Sequence, residues 1–141
     1  MSYGNAGTYN INGTDYYCSS DAERMWLELV TPGLYTGEVK KLIWQPTPGY
    51  SISYKYDRQD CSRIYRPDAL FQWSWEEEWV IEIKRGRIEQ TSAAKLKQFA
   101  MQYPEKNLVV VWYGRFPKKG VAKRRLDRLR PHLHHIWQII K

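Results

Sequence analysis

Only two of the 141 residues are cysteine, Cys18 and Cys61, too few for a disulfide scaffold or a four-cysteine zinc site. No run of about 18 apolar residues occurs, so no segment is suited to cross a bilayer as a helix and no membrane partner is expected. The chain does not open on basic residues followed by an apolar core, so it reads as lacking a secretory signal. With both thiols read as reduced, the expectation is a cytoplasmic protein. Asn12-Gly13-Thr14 matches a glycosylation acceptor, which carries little weight without such a signal. There is no Gly-rich phosphate loop to suggest ATP use, no internal repeat and no low-complexity linker. What is abundant is apolar and aromatic material, 43% and 15% of the residues, more than a disordered chain carries. A chain this long makes one domain that buries roughly 68–70% of its unfolded surface.

Acids are scarce at one end. Residues 115–141 hold nine Lys or Arg and a single acid, Asp127, whereas the other 114 residues hold thirteen bases and fourteen acids. A near-neutral body with a basic tail suits an anionic partner, nucleic acid above all; a solvated, solubilising terminus is the alternative.

Residues 1–17, rich in Gly, Asn and Tyr, show no sustained period and read as a loose arm ahead of one domain over 18–141. Ser20 to about Thr31 reads as a helix, with Ala22, Met25, Trp26, Leu29 and Val30 in one apolar stripe and Pro32-Gly33 as its stop. Gly37–Gln45 and Ser51–Asp57 read as strands, the second half exposed. Asp68–Trp73 and Trp79–Lys84 read as a hairpin, being separated by only five residues. Gln90–Tyr103 has a helical stripe, and Leu108–Tyr113 has the unbroken apolar character of a strand buried on both faces. A basic helix over about Val121–Arg130 and a short apolar end at Ile136–Ile140 complete a mixed α/β order.

The chemistry concentrates in Pro67-Asp68 and Glu82-Ile83-Lys84. Residues two apart in a strand share a face, so Glu82 and Lys84 project together. A hairpin centred on Glu76 sets Asp68 opposite Lys84 and diagonal to Glu82, with strands about 4.8 Å apart. Two converging carboxylates repel unless a divalent cation lies between them, and oxygen-only ligands favour Mg²⁺ or Mn²⁺. A lysine beside that cation is placed to deprotonate water or stabilise charge on a phosphate. The plain alternative is an exposed sheet face on which Lys84 pairs the acids. Glu-X-Lys alone is common, and Pro-Asp fourteen residues upstream on a partner strand makes the pattern specific.

Over roughly Ser20–Tyr113 this pattern resembles the PD-(D/E)XK nucleases. KLKQFAMQYPEKNLVVV (residues 95–111) is similar to the segment that follows the motif in phage junction-resolving endonucleases, and to one in the end-cleaving subunits of heteromeric transposases. The resemblance implies a restriction-endonuclease-like α/β core, a central mixed sheet flanked by helices, here with a C-terminal basic helix. It implies that Asp68, Glu82 and the backbone carbonyl of Ile83 bind Mg²⁺, with Mn²⁺ as substitute, and that Lys84 is the catalytic lysine. It also implies an acid from the first helix. Ser20-Asp21-Ala22-Glu23 supplies Glu23, with Glu28 in reserve, although the same four residues form a capping box in which Glu23 is only a cap. Arg85 and Arg87 beside the site, Lys95 on the following helix, and Lys118, Lys119, Lys123, Arg124, Arg125 and Arg128 in the tail are the expected DNA contacts. Such a basic amphipathic helix also suits a membrane surface.

The expectation is a metal-dependent endodeoxyribonuclease, structure-selective (Holliday junctions or branched DNA) or directed by a recombination or transposition partner, with homodimerisation as one route to paired cuts. The rival readings are a catalytically silent DNA-binding module and a nuclease subunit silent without its partner. Glu76-Glu77-Glu78 reads as a soluble hairpin tip, and His132, His134 and His135 read as surface or packing residues, not zinc ligands.

Overall fold

The unbroken apolar run at 108–113 becomes an interior strand, as a strand covered on both faces must be. In chain order the computed structural model, which describes residues 6–140, runs β1 (Gly7–Ile11), β2 (Thr14–Cys18), α1 (Asp21–Val30), a short α2 (Pro32–Thr36), β3 (Val39–Trp44), β4 (Tyr50–Tyr56), β5 (Gln59–Tyr65), β6 (Ala69–Trp73), β7 (Trp79–Arg85), α3 (Gln90–Gln102), β8 (Asn107–Tyr113), α4 (Gly120–Leu129) and β9 (His135–Ile139). Five strands form the central sheet in the order β3-β6-β7-β8-β9. β3, β6 and β7 pair antiparallel, whereas β7, β8 and β9 are parallel, joined by crossovers through α3 and α4. The fold is thus mixed α/β, with a mixed five-stranded sheet and three helices of ten or more residues among the described residues.

The two-residue period of the strands sorts side chains into two cores. Trp79, Ile81 and Ile83 of β7, with Val109, Val111 and Tyr113 of β8, pack under α1 against Ala22, Trp26, Leu27 and Val30. Val80, Leu108, Val110 and Trp112 face the other way, against Leu96 and Phe99 of α3 and Leu126 and Leu129 of α4. Because both crossovers step the same way across the sheet, α3 and α4 share that face. Trp26, Phe71, Phe99 and Trp112 are completely buried, each worth about 1.5–3 kcal/mol on burial.

Several expectations are corrected. Residues 7–18 form a hairpin, not a loose arm; residues 1–5 of that arm lie outside the described residues. Asn12 and Gly13 both have positive φ, the two-residue turn that a hairpin favours, and Ile11 and Cys18 are buried with α1. β5 is a strand the sequence did not announce: it folds back on β4 through Asp57-Arg58, again both at positive φ but without glycine. The apolar end at 136–140 is recruited as the parallel edge strand β9. On α1 the buried face is turned from the expected stripe: Leu29 is exposed, whereas Leu27 and Glu23 are buried. His134 and His135 pack against the ring of Trp79, with centroids 6.2 and 5.8 Å away. Trp75, 64% exposed, stacks on Trp73. No helix among the described residues is long and apolar enough to cross a membrane.

Candidate active site

β6 stops short of its partner. Its pairing with β7 ends at Ala69 opposite Ile81, so Glu82–Arg85 run on without a neighbour on that side. Asp68 fills the gap. Its amide donates to the Ile81 carbonyl at 2.9 Å, and its carboxylate Oδ2 accepts the Ile83 amide at 2.7 Å, so a side chain continues the ladder. Carried one residue further, this register sets Asp68 across from Glu82. The hairpin is therefore centred one residue earlier than expected, and Asp68 does not lie opposite Lys84. Antiparallel geometry turns the Ile83 carbonyl to the same open edge as its amide.

Asp68, Glu82 and Lys84 occupy the sheet face that α3 and α4 cover, at the C-terminal end of β7, where the sheet changes from antiparallel to parallel. Glu82 is held from two sides. The hydroxyl of Tyr65, at the end of β5, donates to Oε1 at 2.8 Å, and the Lys84 ammonium lies 3.4 Å from Oε2. Tyr65 is 1% exposed and packs against Phe99. Sequence reasoning missed it because β5 was missed.

The electrostatics follow from crowding. Burial raises the Asp68 carboxyl well above the usual carboxylate range, and the charges of Glu82 and then Glu23 push it further; the Ile83 amide and Lys84 oppose the shift. Glu82 is also raised by burial, with Lys84, the Tyr65 hydroxyl and the Lys95 charge holding it down. Tyr65 itself is raised well above its ordinary value by burial and by the Glu82 charge, so it stays a donor. Lys95, on α3, therefore contributes to the field at Glu82, a different role from the phosphate contact expected of it.

Glu23 reaches the same region from the opposite layer. Its carboxylate accepts the Ser19 amide at 3.0 Å and the Ser19 hydroxyl at 2.6 Å, whereas its own amide donates to Ser20 Oγ at 3.3 Å. Ser20 is thus the helix cap, and the reciprocal half of the box goes to Ser19 in place of Ser20. With Glu23, Ile83, Lys84, Arg85 and Arg87 it borders a cavity of about 620 Å³ that also touches the first turn of α3 at Ser92. Glu28 does not border it; burial raises the Cys18 thiol to about 11, helped by the Glu23 and then the Glu28 charge, and the Tyr113 hydroxyl to about 12, helped by Glu28. Arg85 lies 3.7 Å from Asp21 and Arg87 3.4 Å from Glu89, both more than half exposed.

The tail residues lie elsewhere. None of Lys118, Lys119, Lys123, Arg124, Arg125 and Arg128 borders that cavity. Lys118, Lys119, Arg124 and Arg128 are exposed, and Lys123 pairs with Asp127 one turn along α4. Arg125 is turned inward: its guanidinium donates to the Ile88 carbonyl at 2.9 Å, which makes it a strut between α4 and the loop after β7. Leu126 and Leu129, the apolar seam of this helix, are buried against the sheet.

Among the described residues no three His, Cys, Asp or Glu side chains gather as a ready metal-ligand group. The donor chemistry nevertheless fits a hard divalent cation. Two partly buried carboxylates and a backbone carbonyl on an open strand edge are all oxygen, and one nearby lysine does not neutralise Asp68, Glu82 and Glu23 together. No family model, no curated protein and no solved structure matches this chain.

Proposed function

We propose that this protein is a divalent-metal-dependent endodeoxyribonuclease with a restriction-endonuclease-like core, acting on branched DNA or directed to its substrate by a recombination or transposition partner. One observation carries the reading: Asp68, Glu82 and Lys84 converge where β6 ends and β7 runs on alone, with Asp68 tied to the Ile83 amide and Glu82 fixed by Tyr65. Asp68, Glu82 and the Ile83 carbonyl would hold Mg²⁺ or Mn²⁺; Glu23 lines the adjoining cavity with Ile83 and Lys84, which Asp68 and Glu82 do not border, and its charge reaches Asp68. Such a cation supplies a Lewis acid that neutralises phosphate charge and acidifies bound water.

The side chains do the rest. Lys84 is placed to orient or deprotonate the attacking water and to balance charge as the phosphodiester P–O bond breaks. Tyr65 opposes the burial that raises the Glu82 carboxyl and holds it in one orientation. Arg85 and Arg87, on the rim, exchange their partners Asp21 and Glu89 for substrate phosphates. A homodimer of such a domain would cut both strands of a junction.

A second reading is a DNA-binding module, or a subunit silent without its partner. It is favoured by Glu23, whose carboxylate is already engaged by Ser19, and by the absence of a three-ligand group among the described residues. Cleavage of labelled duplex, single-stranded, flap and four-way-junction DNA with Mg²⁺, Mn²⁺ or EDTA separates the two. Metal-dependent cutting that disappears in Glu82→Ala establishes the nuclease. Salt-sensitive binding without cutting in any metal establishes the module.

A further inference from the structure

We propose that the groove between α3 and α4 is a second nucleic-acid contact, gripping the phosphate backbone of the strand that leaves the candidate active site; this rests on the nuclease reading for the strand's path. The groove, of about 590 Å³, is floored by Ala93, Ala94 and Leu129 and edged by Lys97, Arg124 and Arg128. No acid borders it, and among the described residues Lys97, Arg124 and Arg128 have no carboxylate within ion-pair distance. Three cations around small side chains leave room for a backbone and nothing to neutralise them from within. Arg125, the fourth cation there, is committed to the Ile88 carbonyl and holds the wall in place.

Position connects this groove to the chemistry. Gln90, Ala93, Ala94 and Lys97 form one face of α3, whereas Glu89 and Ser92 of the same turn border the cavity that holds Glu23 and Lys84. At 100° per residue the two faces lie roughly a third of a turn apart, so only the N-terminal end of a helix about 10 Å thick separates the two spaces. That end has no side-chain cap. A strand leaving the cavity past Arg87 meets first the open amides of α3, then Lys97, Arg124 and Arg128. A lipid surface fits less well, because Leu126 and Leu129 are already buried and Val121, at the rim of the groove, is a single exposed large apolar side chain on α4, too little to form a face that inserts.

The test is fluorescence anisotropy of the full chain with a labelled duplex in EDTA, over roughly 50–200 mM salt. A Lys97→Gln/Arg124→Gln/Arg128→Gln variant is compared with a charge-matched Lys40→Gln/Lys55→Gln/Arg58→Gln control. Three lost phosphate contacts should reduce the slope of log K against log salt by roughly 2.7 and weaken binding about tenfold or more, with a clearly smaller change in the control. If the triple variant does not fold, Arg128→Gln alone should reduce the slope by about 0.9. An unchanged slope, a loss no greater than the control's, or loss of binding to phosphatidylserine vesicles with DNA binding intact overturns the proposal. The nuclease reading fails separately. A chain that never cuts but shows the slope change keeps the groove, and a chain whose cutting and binding ignore the groove variant loses the groove alone.

Discussion

Replacing Tyr65 with Phe removes one oxygen and leaves the ring packed on Phe99, so it isolates the hydrogen bond to Glu82. The bond is 2.8 Å long, the donor is 1% exposed, and the acceptor is a largely buried carboxylate. A hydrogen bond to a charged group of this kind is worth about 1.5–3 kcal/mol, more than a neutral one because the acceptor carries a charge in a largely buried setting. For a domain of this size that corresponds to a fall in melting temperature of about 5–10 °C. Tyr65 also holds the Glu82 carboxyl down, so its loss raises that carboxyl further and moves the acidic limb of the cleavage profile to higher pH. Calorimetry and a pH–rate profile with Mn²⁺ read both effects. Tyr103→Phe is the control: its hydroxyl donates to the Ser51 carbonyl, so it should cost about 0.5–1.5 kcal/mol and leave the acidic limb where it was. A Tyr65→Phe protein with unchanged melting and an unchanged acidic limb would refute the reasoning.

Asp68→Asn tests the crowding of the carboxylates. Because the folded Asp68 carboxyl is raised above its unfolded value, its stabilising contribution is full below the unfolded value and is lost as pH rises through the folded one. Melting of the metal-free chain should therefore decline from about pH 4 towards neutrality. The Asn variant, whose amide oxygen still accepts the Ile83 amide, should decline less and lose the rise in melting temperature that Mg²⁺ or Mn²⁺ confers; an equal metal response in the variant would remove Asp68 from the ligand set. Lys84→Met is expected to lower metal-dependent cleavage by about 10²–10⁴-fold with DNA binding in EDTA retained, and robust cutting would take the catalytic role from Lys84. Ser20→Ala should cost about 1 kcal/mol through the lost cap and keep cleavage, because Ser19, not Ser20, holds the Glu23 carboxylate; a melting curve and the same cleavage assay decide it.

Periodicity alone located α1, α3, α4 and the strands β3, β4, β6, β7 and β8, because each buries one face or both and so must repeat its apolar residues at the pitch of its backbone. The shared face of Glu82 and Lys84 follows from the same rule. Asn12-Gly13 is a readable hairpin signal, but the flanking residues show no sustained period, and the segment reads as a loose arm until its strands pair. Asp57-Arg58 was not readable, since nothing in that pair demands positive φ until the strands around it have paired. Register belonged to tertiary structure as well. The sequence placed Asp68 on a strand facing β7, but the level at which they meet depends on how Ala69 and Phe71 seat under α1, and that seating moved Asp68 from Lys84 to Glu82. The partners that decide the site's chemistry come from segments remote in the chain: Tyr65 arrives through an unannounced strand, Lys95 across the sheet face, and Glu23 from the opposite layer. Local spacing sets which residues share a face of their own element. Only packing sets which elements bring their faces together, because the energy that selects those contacts lies in buried area spread over the whole core.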